Sequence, residues 1–242
     1  MKIHTRKLMA IMEVKGKALF SKNFIIMPIF ALGFTYIMKI VYGTIDGLDM
    51  NGYILAIGVL MNICMTGIYL VAATLAEEKE KYTLRTLMTS SVNGLEFFLG
   101  SLLPVLFMTI VINVLCVFIA GLTMKGIDEW LVYLLATTAA STIGAVIGMI
   151  FGIFAKNQMS AGTMTTPALL IFMMIPMFRD LNETIAHISD FLFTGVIMNV
   201  IKNISIHKMA IDMKGIMILV IEIILAIIIF LVLYKKNGYE AN

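Results

Sequence analysis

Charge is what this chain has least of. Only 14% of its 242 residues are Asp, Glu, Lys or Arg, and 60% are hydrophobic. A soluble domain carries about 25% charged residues, so a soluble globular fold is excluded and a multi-span membrane protein is indicated. The net charge of +3 is too small to suggest a nucleic-acid partner, and none is expected. Cysteine is scarce. Cys64 and Cys116 both lie inside apolar runs and read as small buried residues rather than a disulfide or a metal pair. His4, His187 and His207 are scattered, and no His-Glu-x-x-His stretch occurs, which argues against a metalloprotease and leaves no metal site to expect. A Gly-x-x-x-x-Gly-Lys-Ser/Thr stretch is also missing, so this chain does not cradle nucleotide phosphates. No Ser/His/Asp arrangement can be inferred from spacing. No catalytic residue and no cofactor are expected on this polypeptide. The basic amino end runs into an apolar stretch too long for a cleavable signal.

What the chain does have is long apolar runs. A helix needs about 20 such residues to cross the hydrocarbon, and six spans are expected, at 24–42, 53–75, 99–122, 130–155, 161–178 and 216–234. The fold class is therefore all-α membrane protein, one transmembrane domain over 1–242. Residues 1–23 are basic and amphipathic, with Leu8, Ile11, Met12, Ala18 and Leu19 on one side and Lys2, Arg6, Lys7, Glu13 and Lys17 mostly on the other. That pattern suits an interfacial helix on anionic lipid headgroups. Trp130 and Tyr133 open the fourth span, where amphipathic rings favour the membrane interface. Gly144, Gly148 and Gly152 recur every four residues in it, which bares one face for close packing of another helix. Between the fifth and sixth spans, 179–215 reads as two short helices on, or dipping into, one leaflet.

The densest charge lies at 76–98, between the second and third spans. Here Leu84, Leu87 and Met88 fall on one helical face, and Arg85, Thr86, Thr89 and Ser90 on the other. The spacing suits a short helix lying on a membrane surface or on a partner protein. Asn93 followed by Glu96 has the form of a capping box for the next helix. With six spans both termini share a side with this loop. That side holds twelve Lys/Arg and the other side six. Positive residues favour the cytoplasm, so the termini and the loop are expected inside and 179–215 outside.

Inside the spans, Glu222 stands out. A carboxylate at mid-membrane costs about 3 kcal/mol on insertion scales, so it should face protein or water. It is a candidate contact for substrate or proton; the alternative is a place near the end of a tilted helix, reaching headgroups or Lys214. Asn113, Phe172, Met173 and Met177 complete the candidate translocation path. The 21 methionines fit adaptable packing around a greasy cargo. A cuprous-ion route through thioethers is the other reading.

The loop carries a resemblance. Glu77 to Val92 reads Glu-Glu-Lys-Glu-Lys-Tyr-Thr-Leu-Arg-Thr-Leu-Met-Thr-Ser-Ser-Val, with Leu95, Glu96 and Gly100 at the head of the third span. This resembles the permease subunit of type-2 ATP-binding-cassette (ABC) exporters, among them bacterial peptide and drug exporters. Glu78, Lys79, Glu80, Thr83, Leu84, Leu87, Thr89 and Ser90 match the family pattern. Tyr82 stands in place of its usual glycine and Ser91 in place of its frequent proline. Lys156-Asn157-Gln158 is a second, weaker match. The resemblance implies a multi-pass protein of a bacterial cell membrane. It implies a second permease copy, identical or paralogous, and a separate ABC ATPase that holds ATP and magnesium. Glu78, Lys79, Glu80, Thr83, Leu84, Arg85, Leu87 and Met88 would couple the two. The cargo expected is hydrophobic or amphipathic: a peptide, a lipophilic drug, or as alternatives copper or lipid. A proton-coupled secondary transporter working through Glu222 is the competing reading.

Overall fold

A computed structural model describes residues 4–43, 50–81 and 94–236. Among them every regular element is helical. In chain order these are α1 (Thr5–Leu19), α2 (Ile26–Tyr42), α3 (Asn51–Asn62), a π-helical segment (Ile63–Tyr69), α4 (Leu70–Glu80), α5 (Gly94–Ala120), α6 (Ile127–Phe154), α7 (Gln158–Met177), a 3-10 turn (Arg179–Leu181), α8 (Glu183–Asp190), α9 (Phe193–Ser205) and α10 (Met213–Lys236). The chain is an all-α membrane protein. Five stretches are long and apolar enough to cross a bilayer: Asn51–Glu80, Leu95–Ala120, Ile127–Phe154, Gln158–Met177 and Met213–Tyr234. Helix α2 has 17 residues and rises about 25 Å, a little less than the roughly 30 Å of a hydrocarbon core. Helices α8 and α9 meet at 102°, so neither alone crosses.

The α3–π–α4 rod is the centre of the bundle. From Ile54 to Leu60 its side chains are almost completely buried, and α2, α5, α6, α7 and α9 all pack on it. Helix α10 is peripheral: it leans on α6 and presents Met217, Val220, Ile221, Ile224, Leu225 and Ile228 outward.

Local sequence sets the helix ends. Gly121 takes φ +75° directly after α5, and its N–H reaches Val117 O at 3.0 Å, a left-handed stop that glycine adopts without strain. Asp128 and Glu129 sit in the first turn of α6, where the helix dipole favours acids. Asn157 and Ser160 form a reciprocal capping box at the start of α7. Helix α4 continues through Glu80 into the stretch expected to be loop, because Glu77 and Lys81 pair across one turn at 2.5 Å. Tyr133 does not face outward from the bundle. It is fully buried and donates its hydroxyl to Asn113 O at 2.7 Å, leaving Trp130 as the half-buried ring at that end.

The glycine row of α6 does what its spacing suggests. A Cβ on Gly144 would stand 3.1 Å from Ile63 Cγ2, one on Gly148 2.5 Å from Ile68 O, and one on Gly152 2.8 Å from Leu75 Cδ2. The α3–π–α4 rod thus lies directly on the backbone of α6. Cys64 and Cys116 are free and buried.

Candidate functional site

The loop expected to couple the chain to a partner leaves the bundle at Lys81 and re-enters it at Gly94. Thr83, Leu84, Arg85, Leu87 and Met88 lie outside the described residues, as does Asn93 of the expected capping box. The two roots of the loop are described, and each is tied to other helices by charge.

On the outgoing root, Lys79 Nζ donates to Gly152 O at 3.0 Å, to Ala155 O at 2.8 Å and to Ile153 O. These are terminal carbonyls of α6, which have no partners within their own helix. An ammonium with three hydrogens suits three converging carbonyls and the negative end of a helix dipole. One residue earlier, Glu78 grips the ammonium of Lys15 with both oxygens at 2.5 Å. Lys15 belongs to α1 and is only 6% exposed. Burial holds its ammonium below the usual lysine range, and Glu78 opposes that fall. Its Nζ also sits 4.9 Å from the centroid of Phe97. Glu80 is exposed at the helix end. Lys81 donates to the Glu77 carboxylate, and that hydrogen bond holds its ammonium above the usual lysine range.

On the returning root, Glu96 is fully buried and accepts the His4 N–H at 2.8 Å. Helix α1 therefore touches both roots, through Lys15 at one and His4 at the other. It lies against α5 closely enough that a Cβ on Gly100 would stand 2.6 Å from Ile11 Cγ2. Lys15, Glu96 and His4 were not among the expected site residues. A signal for Lys15 exists in the sequence: Ile11, Lys15 and Leu19 recur every four residues, so the lysine shares the apolar stripe that packs inward.

Two cavities flank these elements. A narrow cleft bounded by Lys15, Leu19, Leu75, Lys79, Ser101 and Phe230 opens beside the roots. An open apolar groove of about 730 Å³ runs between α2 and α7, floored by the π segment; Ile26, Met27, Phe30, Met65, Tyr69 and Thr166 line it.

The expected path residues are dispersed. Asn113 is fully buried inside the bundle, where its Oδ1 accepts from Asn62 Nδ2 at 2.8 Å. Phe172 packs on Phe193 at 5.0 Å between centroids, and Met173 and Met177 are half-buried on α7. Glu222 is half-buried on α10, and its Oε2 accepts the Phe193 N–H at 2.8 Å, placing a carboxylate on the N-terminus of α9. Lys214, offered by the sequence as its partner, instead lies 3.8 Å from Asp190 Oδ2. Among the described residues no three His, Cys, Asp or Glu side chains converge as metal ligands do.

A comparison with curated proteins finds no match to the chain. Residues 36–232 match the family model described as ABC-2 family transporter protein. That match runs from within α2 to within α10, leaves α1 outside it, and takes in both roots of the loop. It covers well over half of the 242 residues, so the chain belongs to the ABC-2 transporter family, as a membrane subunit of the transport machinery.

Proposed function

We propose that this chain is the membrane-spanning half of an ATP-driven exporter, coupled by its 76–98 loop to a separate ABC ATPase that binds ATP and magnesium. The observation that carries the reading is the bracing of the loop roots. Glu78 is tied to α1, Lys79 to the end of α6, and Glu96 to the start of α1. With these contacts in place the loop cannot move without moving α1 and α6 as well. That is what a force-transmitting element needs and a passive connector does not.

The cargo is hydrophobic or amphipathic, a peptide or a lipophilic small molecule, and its route uses the groove between α2 and α7. Gly162, Thr166, Leu169 and Met173 follow one another on one face of α7, so the predicted Met173 extends the groove wall. A second permease copy would close the open side. The loop faces the cytoplasm of a bacterial cell, and α1 rests on the inner-leaflet headgroups.

The test is co-expression with a candidate ATPase from the same organism. Reversing the exposed Glu80 together with Arg85 should abolish co-purification and the cargo-stimulated part of ATP hydrolysis. Unchanged co-purification and hydrolysis would defeat the docking assignment. Transport in vesicles that persists without ATP and collapses with an uncoupler would instead favour the proton-coupled reading through Glu222.

A further inference from the structure

The central rod is two α-helices joined by seven residues of π-helix, Ile63–Tyr69. A π turn takes one more residue per turn than an α turn, and such segments are short and uncommon. This one sits in the best-buried stretch of the molecule, where regular α-helix would be the default.

The halves on either side are pinned to different neighbours. Before the segment, Asn62 Nδ2 donates to Thr109 O at 3.0 Å and to Asn113 Oδ1 at 2.8 Å, which fixes α3 to α5. After it, Lys79 and Glu78 fix α4 to α6 and α1. Within it, the carbonyls of Gly67 and Ile68 press on Gly148: a Cβ there would stand 2.9 Å and 2.5 Å from the two oxygens. Carbonyls displaced by a π turn need room, and the bare backbone of a glycine supplies it. Thr66, inside the segment, is fully buried with its hydroxyl unpartnered. The π segment keeps its own backbone bonds, the Leu70 N–H reaching Met65 O, and Gly148 adds a fitted seat for its displaced carbonyls.

We infer that Ile63–Tyr69 is a register switch. In its other state the segment is α-helical, and α4 is turned by about 100° and shifted by about 1.5 Å relative to α3. The turn takes Lys79 off the α6 carbonyls and Glu78 away from Lys15. Gly148 is the positioning residue that admits the π state. The switch is a property of this chain alone. Only its drive, by ATP on a partner, rests on the function proposed above.

The test places spin labels at Lys81→Cys, outside the docking set, and Met159→Cys, both exposed, while Cys64 and Cys116 stay buried and unlabelled. Side-chain tips lie about 5–6 Å from a helix axis, so the turn carries the label at position 81 about 8 Å. The expected result is two distances that differ by up to about 8 Å, with ATP plus the co-expressed ATPase changing their ratio. Gly148→Ala, measured without the ATPase, should lie at the second distance alone. One unchanging distance in the wild-type chain under every condition overturns the switch, and this measurement needs no risky variant. Two distances with Gly148→Ala unmoved overturns the seat. A shift in Gly148→Ala with no response to ATP keeps the switch and removes its assigned drive.

Discussion

The pair Lys15–Glu78 offers the sharpest quantitative test of the loop bracing. Both side chains are withdrawn from water, at 8% and 16% exposure. Replacing Lys15 by Met fills the same space and removes the ammonium, leaving the Glu78 carboxylate in a poorly hydrated place. Breaking a buried pair from one side costs about 3–5 kcal/mol, whereas replacing both partners by apolar residues is often neutral. The residual exposure of Glu78 puts Lys15→Met near the lower end, about 3 kcal/mol. In a chain of this size that corresponds to about 6–12 °C in Tm. Thermal unfolding of the purified protein in mild detergent reads it directly, and Lys15→Met/Glu78→Met should recover most of the loss. pH supplies a second readout. The pKa of Lys15 lies below 10.5 in the folded chain, chiefly because burial disfavours its charge. The unfolded chain then binds more protons between that lowered value and 10.5, so stability rises with pH across the window. Wild-type protein should gain on Lys15→Met there and run parallel to it below. A Lys15→Met loss under about 1 kcal/mol, or a double variant no better than the single, would show that this contact is an ordinary solvated surface pair.

Other outcomes follow from the same geometry. Gly58→Ala would put a Cβ 2.2 Å from Thr35 Oγ1 where α2 crosses α3, while Gly162→Ala meets only Tyr69 Cε2 at 3.5 Å. The first should lower stability by about 2–3 kcal/mol and the second by under 1, by thermal unfolding. Asn62→Leu should cost about 2 kcal/mol because Asn113 loses its partner amide in a dry core, and Asn62→Leu/Asn113→Leu should cost less than the single change. Glu222→Ala should loosen the start of α9 by about 1–2 kcal/mol, seen as faster amide exchange at residues 193–196. Glu222→Gln keeps an acceptor for Phe193 N and should lose about half of that.

Much of the architecture could be read directly. Run length alone marks Leu95–Ala120, Ile127–Phe154 and Met213–Tyr234, because a membrane span is a one-dimensional property. The four-residue glycine spacing of α6 marked a packing face for the same reason, and the charge cluster at 76–98 marked the loop. What stayed hidden depends on residues distant in sequence. Lys15 meets Glu78 across 63 positions and Glu222 caps Phe193 across 29, and no local pattern announces either. Tyr133 looked like an interface ring because amphipathic aromatics favour that depth; a backbone carbonyl at Asn113 gave its hydroxyl a partner inside. The π segment had no signature in Ile63–Tyr69 itself. Its cause lies on α6, at Gly148.

The corner between α6 and α7 is closed from both sides. Lys79 holds the last carbonyls of α6 as far as Ala155, and Asn157 with Ser160 locks the first turn of α7, with only Lys156 between. Neither end is free to unwind, so the corner behaves as a welded joint rather than a hinge. While Lys79 is seated on those carbonyls, torque arriving through it swings both limbs together, and the wall of the α2–α7 groove would widen or narrow as one plate. Arginine at position 79 would disturb this joint although it keeps the charge, since a flat guanidinium cannot point hydrogens at three carbonyls gathered around one point.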